Sequence, residues 1–145
     1  NFRDRRSNNF QKNLTNRRGD MLFEAVTLHR RFPYAVLGGL FFLDHGAMTD
    51  ETERRRSTFE NAHNRLRLFT GRDDPGDRDE QYERLYLLSL NASSSHAELE
   101  AYLVGDPDNP VSIDTALCEL LQLAAIRNSD FYEFKDGNLV SVSGG

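Results

Sequence analysis

The chain has 145 residues, 38% hydrophobic and 28% charged, with ten Phe. That is enough to bury a core as a single domain and too apolar for a disordered chain. No apolar run approaches the roughly 20 residues of a membrane helix. A single cysteine, Cys118, excludes an internal disulfide framework and suits a reducing cytoplasm. The net charge of −5 is uneven: residues 1–18 carry Arg3, Arg5, Arg6, Lys12, Arg17 and Arg18 against Asp4 alone, a net +5, leaving −10 on the other 127. A local basic patch on an acidic domain suggests a phosphate-contacting face.

Taken in chain order, Phe10, Leu14, Met21, Leu22, Ala25, Val26 and His29 recur at helical spacing. With Ser7 as N-cap, they predict a helix over about residues 8–31. Gly19 weakens that helix by about 1 kcal/mol relative to Ala, and Pro33 ends it. Residues 35–43 form a continuous apolar run containing Gly38 and Gly39, read as a strand buried on both faces. Asp44-His45-Gly46 is a turn, and Thr49 or Asp50 caps a helix over about 50–70. Its core stripe is Phe59, Ala62, Leu66 and Phe69, with Arg54, Arg55 and Arg56 on its first turns.

Residues 71–80 read as an exposed acidic loop, 83–91 as a strand with a helix as the alternative, 98–104 as a strand, and 105–110 as a breaker. Ser112 caps a helix to about 128, with Ile113, Leu117, Leu120, Leu121 and Ala124 inward. The tail, 131–142, reads as a hairpin around Lys135-Asp136-Gly137-Asn138 with a type I′ turn. The expected architecture is one α/β domain over residues 1–145, a small mixed β-sheet flanked by helices.

Chemistry is harder to find. His29, His45, His63 and Cys118 lack metal-ligand spacing, and no phosphate-binding glycine loop or nucleophile elbow is present. His45 beside Asp44 reads as polar turn chemistry, and Cys118 falls within a core-like helical stripe. The basic first helix stands out, because Lys and Arg neutralise phosphates while Asn donates to phosphate oxygens or base edges. Asn is a mediocre helix former, so its clustering among Arg residues is more than a solvated helix needs.

The run from Ser7 to Ala25, with Asn8, Asn9, Asn13, Asn16, Arg17 and Glu24, followed by Pro33 and the apolar run to Asp44, resembles a segment of type II restriction endonucleases of the PD-(D/E)XK superfamily. In that family a Ser/Phe/Asn-rich helix follows the catalytic strand and leads into a buried strand. The resemblance covers about residues 7–91. It implies a restriction-endonuclease-like fold and Mg²⁺-dependent hydrolysis of double-stranded DNA by a homodimer. Arg5, Arg6, Lys12, Arg17 and Arg18 would contact the DNA backbone, with Asn13 and Asn16 orienting the site. The family's metal ligands, an Asp and then Glu-x-Lys, would precede Asn1, so the chain is expected to be the C-terminal part of a longer nuclease domain. Glu133-Phe134-Lys135 is a literal Glu-x-Lys with Asp114 and Asp130 upstream, but it abuts a turn and reads as a decoy. The alternatives are a non-catalytic protein-interaction or regulatory α/β domain, favoured by the acidic bulk, and a hydrolase or transferase of another kind.

Overall fold

A computed structural model describes residues 2–91, 95 and 97–142, with side chains in the first helix at Lys12 and from Thr15 onward. The elements are α1 (Phe2–Arg31), β1 (Gly38–Asp44), α2 (Thr58–Leu66), β2 (Arg84–Asn91), β3 (Glu98–Leu103), α3 (Ile113–Arg127), β4 (Tyr132–Lys135) and β5 (Asn138–Ser141). Short 3₁₀ turns follow β1 and α2. The order of elements matches the sequence reading, and the class is mixed α/β.

Three strands form the main sheet in the order β1-β2-β3. β1 runs parallel to β2 in a register that pairs Leu40 with Tyr86 and Phe42 with Leu88. The β1–β2 connection carries α2, as a parallel crossover requires. β3 runs antiparallel to β2. Its outer side is partly closed by a two-bond bridge between Ala101 and Val111.

Strand alternation assigns the two faces. Leu85 and Leu87 point to one side, where Ala25 of α1 and Phe59, Ala62 and Leu66 of α2 join Leu43, Tyr102 and Val104. Tyr86 and Leu88 point to the other, against Ala101 and Ala116 of α3. The sheet is therefore sandwiched between helices, and β2 is buried on both faces.

Several expectations need correction. α1 begins at Phe2 and passes through Gly19 unbroken; one glycine's propensity cost is small beside thirty residues of cooperative helix. β1 is not buried on both faces: Leu40 and Phe42 are 41% and 65% exposed, because β1 is an edge strand that α3 covers only near its start. There Leu120 presses so closely on Gly38 that a Cβ would lie 2.5 Å from its Cδ1. α2 starts at Thr58 rather than 50, with Ser57 as N-cap through a 3.1 Å bond from the Glu60 amide. Asp50 instead braces that start, accepting from the Thr58 amide at 2.6 Å and hydroxyl at 2.5 Å. Arg54, Arg55 and Arg56 therefore precede the helix. In α3 the fully buried residues are Ala116 and Ala125, with Ile113 packed against the core and Leu120 against Gly38, while Leu117 is 45% exposed, since small residues permit close approach to the sheet. The C-terminal hairpin is a separate two-stranded sheet. Its turn is the expected one, with positive φ at Asp136 and Gly137.

Candidate nucleic-acid interface

α1 spans thirty residues, about 45 Å at 1.5 Å per residue. Among the described residues, its C-terminal part supplies the side chains that enter the core. Met21 and Leu22 are half-buried, and Ala25 and His29 are buried, whereas Lys12 and every residue from Thr15 to Asp20 are exposed. Lys12 and residues 15–20 thus mark an exposed polar arm, and the second half of the helix attaches it to the body. Of the residues assigned to DNA contact, Lys12, Asn16, Arg17 and Arg18 lie on the exposed arm. Arg5, Arg6 and Asn13 fall within the helix, but their side chains lie outside the described residues.

Two of these cations have defined surroundings. The Arg18 guanidinium sits 5.3 Å from the centre of the Phe69 ring, a cation–π geometry that steadies the side chain while leaving it exposed. Arg17 lines a groove of about 330 Å³ between α1 and β1, together with Asp20 and Glu24 on the helix and the segment from Leu37 to Phe41. The basic run ends at Arg18, since Asp20 and Glu24 follow on the helix surface. Exposed cations return on this helix at Arg30 and Arg31, in its last turn.

What fixes the arm is a buried charged node that the sequence reading missed. Glu83, just before β2, is fully buried, as is Arg72 of the 71–80 loop. Glu83 Oε1 accepts from Arg72 Nη1 at 2.8 Å and from Arg127 Nη1 at the end of α3. Its Oε2 accepts from the Leu37 amide at 2.7 Å and lies 3.2 Å from His29 Nε2 on α1. Burial works to raise the Glu83 pKa, but the Leu37 amide, Arg127, Arg72 and His29 outweigh it and hold the carboxyl below its ordinary value. The guanidinium groups also hold backbone: Arg72 donates to Pro75 O at 2.8 Å, and Arg127 to Ala35 O at 2.9 Å. One carboxylate thus ties together α1, the entry to β1, the acidic loop, β2 and α3. No spacing rule could have found it, because its members are far apart in the chain.

Other candidates resolve differently. Glu133 and Lys135 are exposed on β4, in the separate hairpin and away from the main sheet. Among the described residues no group of three or more His, Cys, Asp or Glu could hold a metal ion. The described residues therefore do not fit the Mg²⁺ centre that the resemblance implies. His45 Nδ1 lies 3.2 Å from the buried Ser89 hydroxyl at the ends of β1 and β2. Asp44 accepts from the Gly46 amide at 3.0 Å, a local turn contact, whereas His45 reaches across to β2. Cys118 is half-buried on α3. No described helix is long and apolar enough to cross a membrane.

Fold and surface together define a mixed α/β domain bearing a basic helical arm. No protein-family model matches the chain, and no curated protein or solved structure gives a significant match.

Proposed function

We propose that this chain is the DNA-contacting α/β domain of a restriction-endonuclease-type nuclease, with α1 laid along the phosphate backbone of duplex DNA. The observation that carries the reading is the exposed run of Lys12, Asn16, Arg17 and Arg18 on a stretch of helix with no described side chain in the core. Basic and amide side chains on a projecting helix suit phosphate contact, and the Phe69 ring preorders one of the cations. Mg²⁺-dependent hydrolysis and a homodimer remain implications of the resemblance; the role argued from this chain's own residues is binding.

The test is duplex affinity against salt. If Lys12, Arg17 and Arg18 each neutralise a phosphate, the log–log slope is about −2.7, an affinity loss of about 40-fold between 50 and 200 mM salt. Arg17→Ala with Arg18→Ala should flatten the slope by about 1.8 without unfolding the domain. No duplex binding at low salt refutes the reading. A second reading, a protein-interaction domain, is favoured by β1. Its outer edge is unpaired among the described residues, and it exposes Leu40 and Phe42 without a Lys or Pro to block strand addition. A domain that fails to bind DNA yet captures an extended apolar peptide would support that reading.

A further inference from the structure

His29 lies in the last turn of α1, where the helix that carries the arm is tied to the body. Its side chain is fully buried, with Nδ1 2.8 Å from the Asp79 carbonyl oxygen and Nε2 3.2 Å from Glu83 Oε2. Both partners are acceptors: a backbone carbonyl has no proton, and Glu83 is held as a carboxylate by Arg72, Arg127 and the Leu37 amide. A neutral imidazole has one N–H and one lone pair, so it can satisfy only one of the two. The imidazolium satisfies both. We propose that His29 is a proton-operated joint: doubly protonated, it clamps the basic arm to the 71–80 loop and to Glu83, and the loss of one ring proton releases one of those ties.

The surroundings isolate the switch. The charged groups facing His29 are Glu83 before β2, Arg72 and Asp79 of the loop, and Arg127 of α3, with Arg30 beside it on α1 and 3.5 Å from Asp79. Among these groups the imidazole is the one that can donate from one nitrogen or from both, whereas a guanidinium only donates and a carboxylate only accepts. The joint lies eleven residues beyond Arg18 on the same helix, so its state sets how firmly the cationic arm is presented. That functional consequence rests on the DNA-binding reading of α1; the joint itself does not.

The test uses the wild-type protein. ¹⁵N shifts of the His29 ring report its proton count between about pH 5.5 and 8, while hydrogen exchange, corrected for intrinsic rate, reports protection of α1 amides from Met21 to Arg31. The expected result is two ring protons at the acid end, and α1 protection that falls on the order of ten-fold as one proton leaves, with coincident midpoints. A ring carrying a single proton throughout overturns the proposal, as does α1 protection that is flat across the ring's titration. His29→Gln, whose amide has one nitrogen and cannot reach both acceptors, should remove the pH dependence if it folds; wild type carries the test if it does not. Duplex affinity should follow the same midpoint. Absent DNA binding alongside a coincident ring and exchange titration would sink the DNA-binding reading and leave the joint standing.

Discussion

Glu83→Gln is the sharpest test of what holds this fold together. The carboxylate accepts from Arg72, Arg127, the Leu37 amide and His29, in a site where Glu83, Arg72 and His29 are all buried. Glutamine keeps the shape but offers one oxygen. If that oxygen faces the guanidinium groups, the new NH₂ meets the Leu37 N–H and His29; reversed, it meets two arginines. Either way two buried donors lose their acceptor, at about 1–3 kcal/mol each. Two guanidinium charges also lose their counter-ion, which places the expected loss at about 3–5 kcal/mol. Against a total stability of about 5–15 kcal/mol, that is a large share. Urea unfolding followed by circular dichroism measures it, and Arg127→Met with the double variant gives the coupling, expected at about 0.5–3 kcal/mol. A loss below about 1 kcal/mol with the fold intact would refute the reasoning, because the node would then be no better than a surface ion pair. The sign with pH follows from the depressed pKa. The carboxylate's contribution is complete above the unfolded value of about 4.3 and is lost as pH falls through the lower folded value, so Glu83→Gln should flatten the acid limb of the stability curve.

His63 predicts a second acid-sensitive step, at higher pH. It is buried, its Nδ1 accepts from the Gly105 amide at 3.1 Å, and burial lowers its pKa against the opposing pull of Asp106 and Asp108. The unfolded chain therefore takes up the proton first: stability is complete above about pH 6.5 and declines below it, and His63→Gln should remove that slope in thermal melts at pH 7.5 and 5.5. Gly38→Val should cost about 1–3 kcal/mol by denaturant midpoint, since Leu120 of α3 occupies the space of any side chain there. Wild-type stability would mean that the Leu120 side chain swings aside freely. Ser57→Ala should cost about 1 kcal/mol by losing the Glu60 amide cap, and an unchanged melt would show that Asp50 alone secures the start of α2.

What could be read from the sequence was whatever depends on local pattern. β2, β3, α3 with its Ser112 cap and the hairpin turn each follow from a short period or a turn dipeptide. The apolar stripe of α2 was legible for the same reason, because period alone places Phe59, Ala62 and Leu66 inward wherever the helix begins. Its start was not, because Asp50 has the chemistry of a cap but spends its carboxylate on Thr58, eight residues on. The burial of β1 was misread because an apolar run does not reveal whether a strand is central or at an edge. The charged node was beyond reach in principle: Arg72 lies in a loop that reads as acidic and solvated, and only the tertiary fold makes Glu83 its partner.

The node also explains why a polar helix stands where it does. Residues 15–20 are all exposed and none joins the hydrophobic core, with Arg18 resting on the Phe69 ring. Helix cooperativity carries their placement from the anchored half, where Ala25 packs into the core and His29 joins Glu83. The direction of the basic arm is therefore set jointly by the core contacts of Met21 and Ala25 and by a carboxylate well away from its cations. A Glu83→Gln protein that remains folded should keep every cation yet present them on a looser helix. Its duplex affinity should fall while the salt slope, which counts phosphate contacts, stays near the wild-type value. Arg17→Ala with Arg18→Ala should do the reverse to the slope, so the pair of measurements separates a residue that positions the arm from residues that touch the backbone.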